Sequence, residues 1–135
     1  MLGIRLGYYT QDPNISWAID SIIDFIEDNM EKYAVYIRPS WIGGACDESA
    51  GDAWVADFWS KKIAIMDKRL SNHGMNFIAG TDRPTIADFK CFQPCVGILQ
   101  ENSACSVPQS VLAKVHSLID ANPNYKRWFE TMRQE

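Results

Sequence analysis

The sequence predicts an all-α fold of about five helices in one domain that spans residues 1–135. Along five segments, apolar residues recur at steps of three and four, which is the period of one helix face. Pro, Gly, Asn or Asp marks the expected boundaries of these segments. No segment has the two-residue alternation of a half-buried strand. At 135 residues and 47% hydrophobic, the chain has the usual size of one domain with its own core.

The first helix is predicted from Pro13 to about Tyr36. Asp12 before Pro13 is a capping carboxylate followed by proline at the first helical position. One face of the helix is apolar, with Ile15, Ile19, Ile22, Ile23, Ile26, Met30 and Tyr33. The opposite face is acidic, with Asp20, Asp24, Glu27, Asp28 and Glu31. Arg38-Pro39 is expected to end or bend the helix, because proline disfavours helical geometry in the preceding residue.

A loop at residues 41–51 contains Gly43-Gly44 and leads to the second helix, predicted from Asp52 to Leu70. Its inner face carries Val55, Phe58, Trp59, Ile63, Met66 and Leu70. Asn72 and Gly74 are expected to supply the left-handed residues that close it.

The third helix is predicted from Ile86 to about Gln100, and it starts with a capping box formed by Thr85 and Asp88. In such a box the Thr hydroxyl accepts from the Asp88 amide while the Asp carboxylate accepts from the Thr85 amide. Both residues are therefore interpreted as structural. Pro94 should kink this helix, because it lacks an amide donor and crowds the preceding turn.

Two shorter helices complete the prediction. The fourth starts near Pro108 and turns inward Val111, Leu112, Val115, Leu118 and Ile119. The fifth starts at Asn122-Pro123, again a capping residue followed by proline, and turns inward Tyr125, Trp128, Phe129 and Met132.

Composition argues against several classes of function. The net charge is −4 and the basic residues are scattered, so neither nucleic acid nor an anionic membrane surface is an expected partner. No apolar run approaches the roughly 20 residues that span a bilayer, so no membrane insertion is expected. Met1 to Asp12 has the pattern of neither a secretory signal nor a transit peptide.

The four cysteines, Cys46, Cys91, Cys95 and Cys105, are interpreted as reduced thiols. They favour a reducing intracellular compartment, with the cytoplasm preferred and an organelle as the alternative. Cys91 and Cys95 share one helical face, which allows a metal pair. Zinc sites usually have closer ligand spacing and two further ligands, so buried apolar packing is the preferred interpretation and no metal site is predicted.

Four stretches together resemble the C-terminal helical domain of the cytosolic glutathione transferases, particularly the sigma, pi, mu and alpha classes. Residues 6–13 resemble the entry to that domain's first helix, and residues 19–28 resemble its acid-rich pattern. Residues 77–80 with 85–89 resemble the F-x-x-G and T-x-A-D segment of the family. Residues 122–129 resemble its terminal P-x-hydrophobic-x-x-W helix.

The resemblance implies the fold of that domain and leaves no counterpart for the family's N-terminal thioredoxin-like domain. That domain supplies the group that activates the glutathione thiol and the residues that hold the tripeptide. We therefore expect no catalytic residue and no cofactor on this chain; glutathione enters only if a thioredoxin-like domain is paired with it. Tyr8, Tyr9 and Tyr33 are interpreted as core or groove residues.

Four further residues are candidates for function through the resemblance. Asp28 corresponds to the Asp that reaches the partner's glutathione in the resembled classes, and the preferred alternative is a solvated acid. Tyr36, Arg38 and Trp41 follow the first helix where the family lines its hydrophobic pocket, and an interface with a partner is an equal alternative.

The preferred function is a non-catalytic interaction or structural subunit of a larger assembly, with a protein partner on the face that the thioredoxin-like domain would cover. A homodimer through the first two helices is also expected. The alternative is the C-terminal half of a glutathione transferase, which contributes the hydrophobic-substrate pocket and the dimer interface to conjugation. A stand-alone binder of small apolar ligands is a third interpretation, supported by aromatic content alone.

Overall fold

The structure is a computed structural model that describes residues 2–99 and 105–134. In this part of the chain every regular element is helical, and the all-α prediction is confirmed. The elements are α1 (Leu2–Arg5), α2 (Pro13–Trp41), α3 (Gly51–Trp54), a π-helical turn (Val55–Ser60), α4 (Lys61–His73), α5 (Ile86–Leu99), α6 (Gln109–Ala121) and α7 (Pro123–Met132). The predicted end of the third helix at Gln100 lies outside the described residues. Within the described ranges, no helix combines the length and apolar character needed to cross a membrane.

Helix α2 begins as predicted but ends later. The Asp12 carboxylate accepts from the Asn14 amide at 2.9 Å, which is the expected N-cap. The predicted end near Tyr36 was wrong, since α2 continues through Pro39 to Trp41. Proline has no backbone N–H to donate within the helix. The last turn of α2 is nevertheless closed, because the carbonyl of Pro39 accepts from the amides of Ile42 and Gly44 at 3.3 and 2.9 Å.

The second predicted helix consists of α3, the π-helical turn and α4. Its buried residues follow a four-residue step: Trp54, Phe58, Lys62, Met66 and Leu70, with Val55, Trp59 and Ile63 beside them. A strict four-residue step drifts around a helix of 3.6 residues per turn, and the wider π turn takes up that drift. Gly74, at φ 64°, closes α4 as predicted. The left-handed role predicted for Asn72 was wrong, because Asn72 lies inside α4.

The core is centred on aromatic side chains where α2, α5 and the π turn meet. The Tyr33 ring lies 5.2 Å from the Phe58 ring and 6.0 Å from the Trp54 ring, centroid to centroid. Its hydroxyl donates to the Pro94 carbonyl at 3.2 Å, which joins α2 to α5. Helix α5 runs through Pro94 without interruption, and the expected kink stays a prediction.

Asp88 binds three parts of the chain at once. Its Oδ2 accepts from the Thr85 amide at 2.8 Å, which confirms half of the capping box. The other half was wrong: the Thr85 hydroxyl donates to Asp88 at 2.9 Å, and the Asp88 amide donates to the Thr85 carbonyl. Asp88 is fully buried, and its Oδ1 accepts from Ile78 N and Trp128 Nε1, each at 2.9 Å. A buried carboxylate can accept about four hydrogen bonds, and the Thr hydroxyl supplies the fourth.

Helix α7 is capped from another helix. The side chain of Asn122, the predicted cap, instead donates back to the Leu118 carbonyl at 2.8 Å. The amides of Asn124 and Tyr125 donate to the Asp67 carboxylate of α4, at 2.8 and 2.9 Å. Asn122 therefore holds the predicted cap position before Pro123, but its side chain does not cap the helix. Asp67 supplies the capping acceptor and fixes α7 against α4.

Candidate functional site

A groove of about 360 Å³ lies between the C-terminal half of α2 and the residues around α3. The rings of Tyr36 and Trp54 stack at 4.3 Å, with 18° between their planes. The Tyr36 hydroxyl donates to the Asp47 carbonyl at 3.0 Å, so the aromatic wall is fixed to the loop after α2. The groove is lined by Lys32, Val35, Tyr36, Pro39, Asp47, Ala50, Ala53, Trp54 and Asp57. This lining suits an apolar or aromatic molecule with few polar groups.

Of the three predicted pocket residues, the structure places only Tyr36 in the groove. Arg38 lies on the exposed side of α2, and Trp41 is 58% exposed beside Ile42. Helix geometry explains this result, because offsets of two and five residues turn a side chain by about 200° and about 140° away from Tyr36. Sequence reasoning missed Trp54. The small residues Ala50 and Ala53, which line the groove beside Trp54, are the signal that could have indicated it.

Asp28 lies exposed on the outer, acidic face of α2. Within residues 2–99 and 105–134, no hydrogen bond or ion pair to the Asp28 side chain is present. Its neighbour Glu27 pairs with Lys90 at 3.2 Å. The glutathione contact suggested for Asp28 stays a prediction.

Four of the five tyrosines direct their hydroxyls to groups of the same fold. Tyr33 and Tyr36 donate to backbone carbonyls, as described above, and Tyr9 donates to Asp20 at 2.8 Å. The Tyr125 hydroxyl lies 3.4 Å from the sulfur of Cys95. The hydrogen bond to Asp20 raises the pKa of Tyr9, whereas burial raises the pKa of Tyr33, Tyr36 and Tyr125, that of Tyr36 to about 12.

These hydroxyls are poorly placed to activate a thiol. A group that lowers the pKa of a thiol must donate to, or lie as a cation beside, the sulfur in an accessible cleft. Tyr33, predicted as a core residue, is buried, and Tyr9 lines a separate cleft of about 220 Å³. Tyr8 is 40% exposed and belongs to the surface instead of the core or the main groove.

Tyr8 is part of an exposed apolar surface, the α5 face, which we define as Tyr8, Phe89, Gln93 and Val96. The ring of Phe89 meets the Tyr8 ring edge-on at 5.3 Å. The Tyr8 carbonyl accepts from the Ile86 amide at 2.9 Å, so this segment is anchored at the start of α5. Phe89, Gln93 and Val96 follow at steps of four and three along α5 and are exposed, which makes one continuous stripe.

A buried lysine, Lys62, was also missed by the sequence interpretation. Its Nζ donates to the Cys91 carbonyl at 2.8 Å and lies 3.8 Å from the sulfur of Cys95. Nζ also lies 4.8 Å from the centre of the Trp59 ring, and the rings of Phe58 and Tyr125 complete the enclosure. The only hint in the sequence is that Lys62 continues the four-residue step of buried residues.

Cys91 and Cys95 are buried, as predicted, and none of the four cysteines forms a disulfide. Burial raises the pKa of Cys91 to about 12, although Lys62 acts in the opposite direction. Cys91 is therefore a protonated, unreactive thiol at neutral pH. Within the described part of the chain, no group of three or more His, Cys, Asp or Glu residues is placed to hold a metal ion.

The sequence of this chain also matches a known protein family. The family described as glutathione S-transferase, C-terminal domain, matches residues 45–132, which is more than half of the chain. The chain belongs to this family, and the predicted resemblance is confirmed. Comparisons with curated proteins and with solved structures give no significant match.

Proposed function

We propose that this chain is a non-catalytic helical domain that acts through protein contacts, as an interaction or structural subunit of a larger assembly. The observation that carries the proposal is the α5 face. Phe89 and Val96 are 43% and 38% exposed and, with the Tyr8 ring against Phe89, form an apolar surface on a rigid helix. Exposed aromatic side chains on a helix are frequent in protein contacts.

The occupant we propose for the α5 face is a folded protein partner with an apolar surface. The face carries the rings of Tyr8 and Phe89, with the exposed Gln93 between Phe89 and Val96. Aromatic side chains with a few polar groups among them are typical of protein interfaces. Aromatic side chains anchored on a rigid element contribute strongly to interfaces.

The tyrosine hydroxyls support the non-catalytic part of the proposal. Glutathione conjugation needs a thiolate, and the most direct tyrosine candidates donate to Asp20, Pro94 and Asp47 of their own fold. These residues therefore stabilise the domain, and activation of glutathione would need a group from another domain or chain.

A second candidate function is supported by the groove beside Tyr36 and Trp54. In this alternative the chain is the C-terminal half of a glutathione transferase, and it provides an apolar-substrate pocket and a dimer contact through α2, α3 and α4. The fixed aromatic wall and the volume of about 360 Å³ favour it. Asp28 would then be the candidate for a contact with glutathione.

Two matched variants separate the candidates. Phe89→Asp changes the α5 face and Val35→Asp changes the groove; the two side chains are both large, apolar and at least 43% exposed. The measurement is the native mass of each tagged chain at endogenous level, together with retention on immobilised glutathione and conjugation activity. Circular dichroism confirms that both variants remain helical.

The proposal predicts a large native complex without glutathione retention, and loss of the partner in Phe89→Asp but not in Val35→Asp. A chain that is retained on glutathione, conjugates an electrophile, and loses activity or dimerisation in Val35→Asp would overturn the proposal. That second pattern would support the transferase half, with Asp28→Asn as the next variant.

A further inference from the structure

The groove between α2 and α3 has a lysine on its rim. From α2 it is lined by Lys32, Val35, Tyr36 and Pro39, whose steps of three, four and seven residues place them on one face of the helix. Lys32 is exposed, and its amine donates to Asn29 Oδ1 at 3.5 Å, which is the outer limit of a hydrogen bond. Among the described residues, the amine of Lys32 belongs to none of the ion pairs.

Two carboxylates also line the groove, and both are engaged within the fold. Asp57 pairs with Lys61 at 3.1 Å. Asp47 Oδ1 accepts from the amide and the hydroxyl of Ser49, each at 2.9 Å. Of the three charged residues in the lining, Lys32 therefore has the most bonding capacity left, and a ligand that completes it has to supply an anionic oxygen.

The rest of the lining is largely apolar and includes a buried donor without a partner. Val35, Pro39, Ala50 and Ala53 contribute apolar side chains. Trp54 is 5% exposed, and its indole Nε1 has no hydrogen-bond partner within the described residues. An unsatisfied buried donor costs free energy, so this lining suits a molecule that carries oxygen acceptors on an apolar body.

We propose that the groove binds a small aromatic organic anion, a carboxylate or a sulfonate. Its rings occupy the apolar part of the groove, and its anionic oxygens accept from the Lys32 amine. The groove volume of about 360 Å³ lies within the range of pockets that hold small organic molecules. Lys32 selects for the anion, because an uncharged molecule of the same shape gains no charge-assisted hydrogen bond from the amine.

Binding of this kind is separate from the protein contact proposed at the α5 face. It uses the residues of the groove, and none of the α5 face residues belongs to that lining. It also needs neither glutathione nor a catalytic group. The two proposals can therefore fail independently, and ligand binding can be measured on the purified chain alone.

The experiment measures the dissociation constants of two fluorescent probes for the purified full chain, without glutathione. Anilinonaphthalene sulfonate is the anionic probe, and phenylnaphthylamine has the same rings without the sulfonate. Lys32→Gln removes the charge at the groove. Lys68→Gln is the matched control, since Lys68 is also an exposed helical lysine but does not line the groove.

A second pair of variants locates the bound probe. Ala53→Leu adds volume inside the groove, and Ala56→Leu makes the same change at an exposed position outside the lining. Phe89→Asp alters the α5 face, which is the other exposed aromatic surface described above. Circular dichroism confirms that every variant remains helical.

Wild type should bind the anionic probe more tightly than the neutral probe. Lys32→Gln should weaken the anionic probe by about fivefold and the neutral probe by less than about twofold. Ala53→Leu should weaken both probes, whereas Lys68→Gln, Ala56→Leu and Phe89→Asp should change neither.

Equal weakening of the two probes in Lys32→Gln, or no preference of wild type for the anion, would overturn the proposal. Unchanged binding of the anionic probe in Ala53→Leu, or no binding to the folded wild-type chain, would overturn it as well. Any of these results would leave the native-mass test of the α5 face unaffected, because that test depends on a protein partner.

Discussion

Replacing Asp88 with Ala tests the central structural interpretation, that one buried carboxylate connects three parts of the fold. The substitution removes the acceptor for the Ile78 amide, the Trp128 indole, and the amide and hydroxyl of Thr85, at 2.8–2.9 Å in the intact protein. These donors come from the turn before α5, from the start of α5 and from α7. None of them can reach solvent easily, because Asp88 is fully buried.

The expected loss in the free energy of unfolding follows from the number of bonds. Hydrogen bonds to a charged group contribute about 1.5–3 kcal/mol each, so the three N–H donors give about 5–9 kcal/mol before relaxation. The Thr85 hydroxyl is left out of this sum because it can rotate toward another acceptor. Partial rearrangement reduces this, and we expect a loss of about 4–5 kcal/mol for Asp88→Ala. Asp88→Asn keeps one acceptor oxygen and should lose about 2–3 kcal/mol. A domain of this type has about 5–15 kcal/mol in total, so Asp88→Ala approaches the limit of folding.

The assay is urea unfolding followed by tryptophan fluorescence and far-ultraviolet circular dichroism. Asp28→Ala is the matched control, since it makes the same change at an exposed position of α2, and it should stay within about 0.5 kcal/mol of wild type. A loss below about 1 kcal/mol in Asp88→Ala, with an unchanged urea slope, would refute the reasoning.

Three further outcomes are expected. Asp67→Ala should lower the free energy of unfolding by about 1–2 kcal/mol, because α7 loses its cap. The control Asp57→Ala removes an exposed ion pair and should lower it by about 0.5 kcal/mol or less. Equal losses of the two variants in urea unfolding would contradict the capping role of Asp67. The pKa of Tyr36 is raised from 10.0 to about 12 in the folded protein, so the unfolded chain loses this proton first and stability falls as pH rises above 10. Tyr36→Phe should make this fall in stability less steep in urea titrations between pH 8 and 11. An identical fall in wild type and variant would contradict the contribution of Tyr36. A Cβ on Gly97 would lie 2.8 Å from the Tyr33 hydroxyl. Gly97→Ala should therefore lower the free energy of unfolding by about 1–3 kcal/mol in the wild-type background and by much less in a Tyr33→Phe background. An equal loss in both backgrounds would rule out this contact.

The sequence allowed the helices and their inner faces to be predicted because the apolar period and the capping residues are local signals. Asp12, Thr85 and Gly74 illustrate this, since each acts on residues within four positions of itself. The end of α2 was missed because the last turn is closed by amides that follow Pro39, which propensity alone does not reveal.

The contacts that fix the helices to one another could not be predicted, because their partners are distant in the sequence. Asp67 looks like an ordinary polar residue of α4 until α7 lies against it. Lys62 looks like a solvated cation until the rings of Trp59, Phe58 and Tyr125 enclose it. The groove was only partly predicted, since Tyr36 meets Trp54 across the loop between α2 and α3.

Asp67 and Asp88 precede α7 in the sequence but accept hydrogen bonds from it, and this order affects how the chain folds during its synthesis. During synthesis Asp67 and Asp88 leave the ribosome before Tyr125 and Trp128, whose amide and indole satisfy them in the finished fold. Until those donors emerge, the two carboxylates have to remain hydrated, which opposes closure of the core around them. We therefore expect the nascent chain to stay open and to complete its core only after residues 123–132 have left the exit tunnel.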